Sequence, residues 1–187
     1  MKKRKIVIIR GLVTSGKTTT SHELSKILPG WIFVDVWKIK EMFEPLGLKD
    51  RTPLKTISKK AMIGIVKDVI EQLGINILLQ ESSQSAIKKN LKKELKKYNY
   101  KIYSFYLDVD VKDAEKRDVQ REKPNMIVNK RGLSNEEWKK GRVTIEKEDI
   151  VINTSKSSIK QVVNKILKDI GEKRREHPYA HALRKSW

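Results

Sequence analysis

The sequence predicts an α/β fold, a mainly parallel sheet of about five strands flanked by helices. Three observations lead there. Short runs rich in Ile, Val and Phe alternate with stretches of helical length and period along residues 5–170. The first run opens into a glycine-bounded loop that passes straight into a helix. No repeat is visible, and no apolar run reaches the 18 or so residues needed to span a membrane.

Ile6–Ile9 is a branched apolar run and reads as the first strand. After the loop at 11–18, Thr18 to Ser25 continue as a helix with Leu24, Ile27 and Leu28 toward a core, and Pro29-Gly30 ends it. Trp31 to Asp35 is the second strand, and a short helix from Val36 to Phe43 is broken by Pro45 and Gly47. Residues 49–56 are polar and aperiodic. The next helix is expected over 57–73, with Ile57, Ala61, Ile65, Val69 and Leu73 at successive fourth positions as its apolar side and Gly74 as its stop. Ile75 to Gln80 is a buried type of strand ending at Glu81. A lysine-rich helix follows, with Ile87, Leu91 and Leu95 on its apolar side.

Lys101 to Leu107 is the fourth strand, and a charged helix runs from Val111 to Glu122 before Pro124. Residues 125–148 are the least regular. Asp149 to Asn153 is the fifth strand, Ile159 to Ile170 the last core helix, and Gly171 its end. The chain therefore divides into one domain over 1–170, with a lid around 117–148, and a basic tail at 171–187.

Composition narrows the chemistry. There is no cysteine, which excludes disulfides, a thiol nucleophile and thiolate metal sites. Two of the three histidines lie in the tail and His22 stands alone in the first helix, so a zinc site has no support. The apolar stretch after the basic N-terminus is too short for a signal-peptide core, and the expected location is the cytoplasm. Lys and Arg number 42 against 23 acidic residues, a formal +19. That charge favours polyanionic partners, nucleotides and nucleic acid alike.

The loop Gly11-Leu12-Val13-Thr14-Ser15-Gly16-Lys17-Thr18 satisfies G-x-x-x-x-G-K-[ST] in a strand–loop–helix context. Its amides, joined by the helix N-terminus and Thr19, converge on a phosphate chain. Lys17 would reach the β- and γ-phosphates and Thr18 would ligate Mg²⁺. No N-K-x-D stretch is present for guanine, because Asn129-Lys130-Arg131-Gly132 lacks the aspartate, so ATP is the expected nucleotide.

In a parallel sheet the functional groups gather beyond the carboxyl ends of the strands. Asp35, Glu81, Asp108 and Thr154 are comparable positions of this kind. Asp35 would orient or deprotonate an acceptor hydroxyl, or simply cap the helix that follows. Glu81 would hold Mg²⁺ directly or through water, or merely end its strand, with Ser82 and Ser83 capping the next helix. Arg51 is a candidate for an anionic part of the acceptor. Arg117 and Arg121 form an i,i+4 pair suited to a lid edge over the nucleotide, the plain alternative being surface pairing with Asp113, Glu115 or Asp118. Lys130, Arg131 and Arg142 are further lid candidates. Thr154 and Ser155 border the adenine in this reading, with Ser155 or Ser158 capping the last helix. Phe33, Tyr103 and Phe105 are expected in the core, and Trp37, Trp138 and Trp187 nearer the surface.

The segments G-L-V-T-S-G-K-T-T at 11–19, F-V-D at 33–35, L-D-V-D-V-K-D-A-E-K-R-D at 107–118 and I-V-I-N-T-S at 150–155 together resemble the small phosphate-loop kinases, a family that includes adenylylsulfate kinase and chloramphenicol phosphotransferase. The resemblance covers residues 5–170. It implies a P-loop NTPase fold of the nucleoside/shikimate-kinase-like type, with the strand-two aspartate, here Asp35, at the acceptor hydroxyl, and the arginine-bearing helix, here Arg117 with Arg121, on the nucleotide lid. Thr14 stands where many relatives carry a further glycine, and the longer lid motif of adenylylsulfate kinase is absent. The expected activity is Mg²⁺-assisted transfer of the ATP γ-phosphoryl to a small-molecule hydroxyl. A kinase of nucleic-acid termini or transfer RNA is the alternative, kept open by the basic stretches at 88–97 and 173–185. A nucleotide-dependent switch or slow NTPase is the reading from another class.

Overall fold

A computed structural model describes residues 3–43, 52–81, 87–95, 98–120, 136 and 145–175. Strand β1 (Arg4–Gly11) lies at the centre of a five-stranded sheet with β2 (Trp31–Asp35), β3 (Asn76–Gln80), β4 (Tyr100–Asp108) and β5 (Asp149–Asn153). The order is β2-β3-β1-β4-β5, and every pairing is parallel. The chain goes out from β1 to one side through β2 and β3, then crosses to β4 and β5 on the other. The carboxyl end of β1 is thus where the strand order divides, the place where open α/β sheets bind ligands.

A parallel sheet covered on both faces needs strands that are apolar on both faces, which is how β1 reads. Val7 and Ile9 pack with Leu78, Phe105, Leu107 and Ile152 beneath α1 (Lys17–Ile27) and the helix Ile159–Ile170. Ile6 and Ile8 pack on the other face with Ile77 and Leu79, under α2 (Val36–Glu41), α3 (Thr52–Gln72) and α4 (Ile87–Glu94). Phe105 is fully buried, Phe33 and Tyr103 are partly buried against the same cluster, and Trp37 is exposed, as expected.

Helix α3 departs from expectation. It begins at Thr52, and its core residues are Leu54, Met62, Val66, Val69 and Ile70. Of the expected stripe only Val69 is buried, whereas Ile57, Ile65 and Leu73 are 44%, 39% and 61% exposed. The reason is geometric. Each fourth-residue step overshoots a full helical turn by about 40°, so a strict series of fours spirals through about 160° between residues 57 and 73. Such a series cannot stay on one face.

α5 (Val111–Val119) follows β4, and α6 (Ile159–Ile170) is the last described helix. Ser158 caps α6 in a reciprocal box with Gln161, and left-handed Gly171 (φ 65°) ends it, with Glu172 N–H donating to Leu167 O at 2.9 Å. At the amino end of the sheet, buried Lys5 donates to Ile170 O at 2.7 Å and ion-pairs with Glu172, while Arg175 N–H donates to Ile27 O at 3.3 Å. Most of the expected lid, from 121 to 144 apart from Glu136, and the tail from 176 onward lie outside the described residues. No described helix is long and apolar enough to cross a membrane.

Candidate active site

The loop after β1 is held in a shape few residues tolerate. Gly11 has φ 142°, and a Cβ there would meet Leu107 O at 2.4 Å and Ser15 Oγ at 2.7 Å. It is the close approach of β1 to β4 that demands glycine. Gly16, at φ 91°, precedes the first turn of α1. Thr14 takes the left-handed conformation at φ 61°, unusual for a β-branched side chain, and its hydroxyl donates to Val13 O at 2.6 Å. Position 14 thus has backbone geometry that suits the glycine of the resembled family, and threonine occupies it under strain. Lys17 Nζ donates to Gly11 O at 2.9 Å and Leu12 O at 2.6 Å, which holds the ammonium over the loop.

Asp35 ends β2 on the α1 side of the sheet and is 7% exposed. Its Oδ1 accepts from Trp37 N–H at 2.8 Å, so the residue does cap α2. Its Oδ2 accepts from Gln80 Nε2 at 3.2 Å. Burial pushes this carboxyl above its ordinary value and Glu41 adds to the rise, against the Trp37 N–H and the nearby His22 and Lys38. His22, one turn along α1 from Thr18, sets its ring edge-on to Phe33 at 5.6 Å.

The second hydrogen of the Gln80 amide goes to Thr18 Oγ1 at 3.1 Å. Gln80 is a residue that reasoning from sequence missed, and it occupies the place expected for Glu81. Successive strand side chains alternate between faces, and Gln80 shares a face with Leu78 and α1. Glu81 therefore turns the other way, with Leu79, and ion-pairs with Arg10 Nε at 3.4 Å. Arg10 also bonds Asp149 at 2.8 Å and Glu146 at 3.3 Å, and Ser104 Oγ donates to Asp149 at 2.5 Å. Glu81, expected as a magnesium residue beside Thr18, thus has its carboxylate in a buried charge cluster on the opposite face, and it is Gln80 that meets Thr18. Only the β2–β3 register, which sets Asp35 beside Gln80, reveals which of the two neighbours faces the loop.

On the other flank, Arg117 in α5 donates from Nη2 to Thr154 O at 2.6 Å and from Nη1 to Thr154 Oγ1 at 3.1 Å and Thr14 O at 3.3 Å. Thr154 is in turn held by Asp108, whose carbonyl accepts from both its N–H and its hydroxyl. A cleft of about 180 Å³ opens here, lined by Ser15, Gly16, Thr19, Thr20, Arg117, Thr154, Ser157, Ile159 and Val162. Ser155 Oγ accepts from Asp110 N–H at 2.9 Å, which leaves the cap of α6 to Ser158. Arg51, Ser82, Ser83, Arg121, Lys130, Arg131, Trp138, Arg142 and Trp187 lie outside the described residues.

Among the described residues, no cluster of three or more His, Cys, Asp or Glu is arranged around a metal position. The oxygens near the loop do suit Mg²⁺ of the kind that keeps several waters and leans on phosphates. Thr18 offers a hydroxyl, and Gln80 Oε1 is buried with no hydrogen-bond partner among the described residues.

No protein-family model matches the chain, and no curated protein matches it in sequence. Solved structures do. A tunicamycin resistance protein from Deinococcus radiodurans superimposes with a TM-score of 0.69 at 19% identity, covering 94% of this chain and 100% of that one. A sugar kinase from Janibacter gives 0.64 at 15% identity, covering 91% and 95%. The APS kinase of Mycobacterium tuberculosis, solved with AMPPNP and APS, gives 0.62 at 12% identity, covering 92% and 100%. At such identities the likeness speaks to architecture. With its parallel β2-β3-β1-β4-β5 sheet and its glycine-bounded loop at the end of the central strand, the chain has the fold of the small P-loop kinases.

Proposed function

We propose that this protein is an ATP-dependent kinase that transfers the γ-phosphoryl group to a hydroxyl of a small molecule. One observation carries the reading: a buried carboxylate, Asp35, stands one amide away from the Thr18 hydroxyl at the loop that would hold the phosphates. The cap of α2 uses only Oδ1 of that carboxylate, which leaves Oδ2 for the site. The named kinases of like fold support the same reaction class, and one of them was solved with an ATP analogue.

The chemistry follows from the positions. The nucleoside end would take the cleft between Gly16, Arg117 and Thr154, with the phosphate chain at the loop and the N-terminus of α1. Lys17 supplies positive charge where the transferring group develops negative charge. Asp35 accepts or orients the proton of the attacking hydroxyl, and its raised proton affinity suits that task better than an ordinary surface aspartate. Bound Mg²⁺, taken up by Thr18 and the phosphates, would add charge neutralisation. Arg117 fixes the Thr154 carbonyl and Thr14 relative to each other and so keeps the two walls of the cleft in register. A nucleic-acid acceptor is the second reading of the same reaction: the formal charge of +19 favours polyanionic partners in general, nucleotides included.

The test is a screen with ATP labelled in the γ-phosphate, against a metabolite library and RNA, with wild type and Asp35→Asn in parallel. A metabolite labelled by wild type and not by the variant is the expected result. A labelled RNA would move the reading to the nucleic-acid branch, and equal rates for both proteins would remove Asp35 from the mechanism. Lys17→Ala should bring turnover down by orders of magnitude while the protein stays folded. Full activity in that variant would overturn the loop assignment.

A further inference from the structure

Six exposed cations gather at the amino end of the sheet: Lys3 and Arg4 at the start of β1, Lys101 in β4, and Lys173, Arg174 and Arg175 beyond α6. The contacts place them. Lys101 is in register with Lys5, and Lys5 holds Ile170 O and Glu172, so the segment after α6 starts beside it. Arg175 N–H donates to Ile27 O, which carries the same segment on to the end of α1. β5 joins β4 only from Ser104 onward, so among the described residues Tyr100 to Tyr103 pair with β1 alone. Lys101 thus stands at an open edge.

Two ordinary roles of surface cations leave these six unexplained. A lysine in the last turn of a helix answers its negative end, as Lys26 does in α1 and Lys168 in α6, but none of the six lies within a helix. Cations also pair with neighbouring acids. Here Glu172 is taken by Lys5, Asp169 by Lys165 and Glu23 by Lys26, while Glu71 accepts from the Tyr98 hydroxyl. Among the described residues none of the six has an ion-pair partner. Like charges gathered this way repel one another, and a bound polyanion would relieve that repulsion.

The neighbouring side chains choose among polyanions. An acidic membrane surface takes up cations that have exposed apolar groups beside them. Among the described residues no exposed large apolar side chain belongs to β1, β4 or the segment after α6. Aromatic rings are there instead. Half-buried Tyr100 and Tyr103 flank Lys101 along β4, and Lys101 Nζ stands 4.7 Å over the Tyr103 ring. Cations interleaved with rings suit a single strand, whose phosphates meet the one and whose bases meet the other.

We propose that the amino-end pole binds a single-stranded nucleic acid, with Lys3, Arg4, Lys101 and the segment 173–175 on its phosphates. β1 has eight residues, so this surface is about 26 Å from the phosphate loop. It is a second site, distinct from the acceptor position beside Asp35, and it stands whether or not the kinase reading does.

The test is fluorescence anisotropy of a labelled oligouridylate titrated with the full chain at several KCl concentrations. The slope of log K against log salt should be about −3 to −4, which corresponds to roughly four to six phosphate contacts. Changing Lys101, Lys173, Arg174 and Arg175 together to glutamine should flatten that slope by about 3 and weaken binding about tenfold or more. A control with Lys60, Lys67, Lys112 and Lys116 changed to glutamine has the same net charge and should keep the slope within about 1 of wild type. Lys17→Ala, and wild type saturated with a non-hydrolysable ATP analogue, should bind the RNA as wild type does. If the pole variant melts early, the single charge reversal Lys101→Glu decides in its place: it should weaken binding, and Lys112→Glu should not. Equal losses in pole and control variants would make the binding a matter of net charge and overturn the proposal. Competition by the ATP analogue would overturn it too, because the RNA would then lie at the phosphate loop. A wild type that ignores the RNA and sediments with phosphatidylserine vesicles would put a membrane surface in place of nucleic acid, and one that binds neither would remove the site.

Discussion

Arg117 grips Thr154 by two oxygens at once, the carbonyl at 2.6 Å and the hydroxyl at 3.1 Å, and reaches across to Thr14 O at 3.3 Å. One guanidinium therefore joins α5, the β5–α6 loop and the phosphate loop. A lysine cannot reproduce that fork. Arg117→Lys and Arg117→Ala should both weaken nucleotide binding by about tenfold or more, the equivalent of charge-assisted hydrogen bonds worth roughly 1.5–3 kcal/mol. Calorimetric titration checks it, and a lysine variant with unchanged affinity would show that charge alone suffices.

Arg10 is buried against Glu81 and Asp149, with Glu146 at the rim. Removing the cation leaves buried carboxylates without their partner. Arg10→Met should cost about 3–5 kcal/mol in urea unfolding, far more than a surface arginine would. Replacing Arg10, Glu81 and Asp149 together by apolar residues of matching volume should recover much of that loss.

Glycines 11 and 16 both have positive φ, but only the first is crowded. Gly11→Ala would drive a Cβ to 2.4 Å from Leu107 O, whereas nothing among the described residues lies within 4 Å of one on Gly16. The expected cost is about 1–2 kcal/mol for Gly16→Ala, from the left-handed backbone alone, and about 3 kcal/mol or more for Gly11→Ala. Equal melting temperatures for the two variants would contradict the close β1–β4 approach as the cause.

The carboxyl of Asp35 has its proton affinity raised by burial, so the folded protein holds that proton to higher pH than the unfolded chain does. Its favourable contribution is complete below the ordinary value of 3.8 and is lost as pH rises through the folded value. Asparagine does not titrate and keeps the capping ability. Asp35→Asn should therefore match wild type in stability below pH 3.8 and exceed it by a constant margin at neutral pH, while transfer is lost. Thermal melts across that range test it, and a variant less stable than wild type at pH 7 would refute the sign.

How much of this was legible in the sequence depends on how far each feature reaches along the chain. The phosphate loop is local: the glycines, Lys17 and Thr18 fall within eight consecutive residues, and the strand and helix that frame them are adjacent. The alternation of strands and helices is local too, and it sufficed for the parallel sheet. Which face of α3 turns inward was not legible, because Ile57 and Ile65 are as apolar as Met62 and Val66, and only the packed sheet chooses between them. The exchange of Gln80 for Glu81 has the same origin. Both end one strand, and the pairing of Asp35 with Gln80 across β2 and β3, which decides between them, is a relation between distant segments. Asp35 was read as either a cap or a site residue, and its two oxygens let it cap α2 with one and accept from Gln80 with the other.

Lys5 and Ile170 stitch the start of β1 to the end of α6, and Arg175 is tied to Ile27 at the same amino-end pole of the sheet. The start of β1 and the end of α6 therefore meet in one place, on the side away from the phosphate loop. A short peptide could join those two points without crossing the cleft. The order in which the strands are threaded is then separable from the site they build. A circularly permuted chain, reopened in an exposed turn such as that at Gly30, would carry Lys17, Asp35 and Arg117 in a new succession around the same loop.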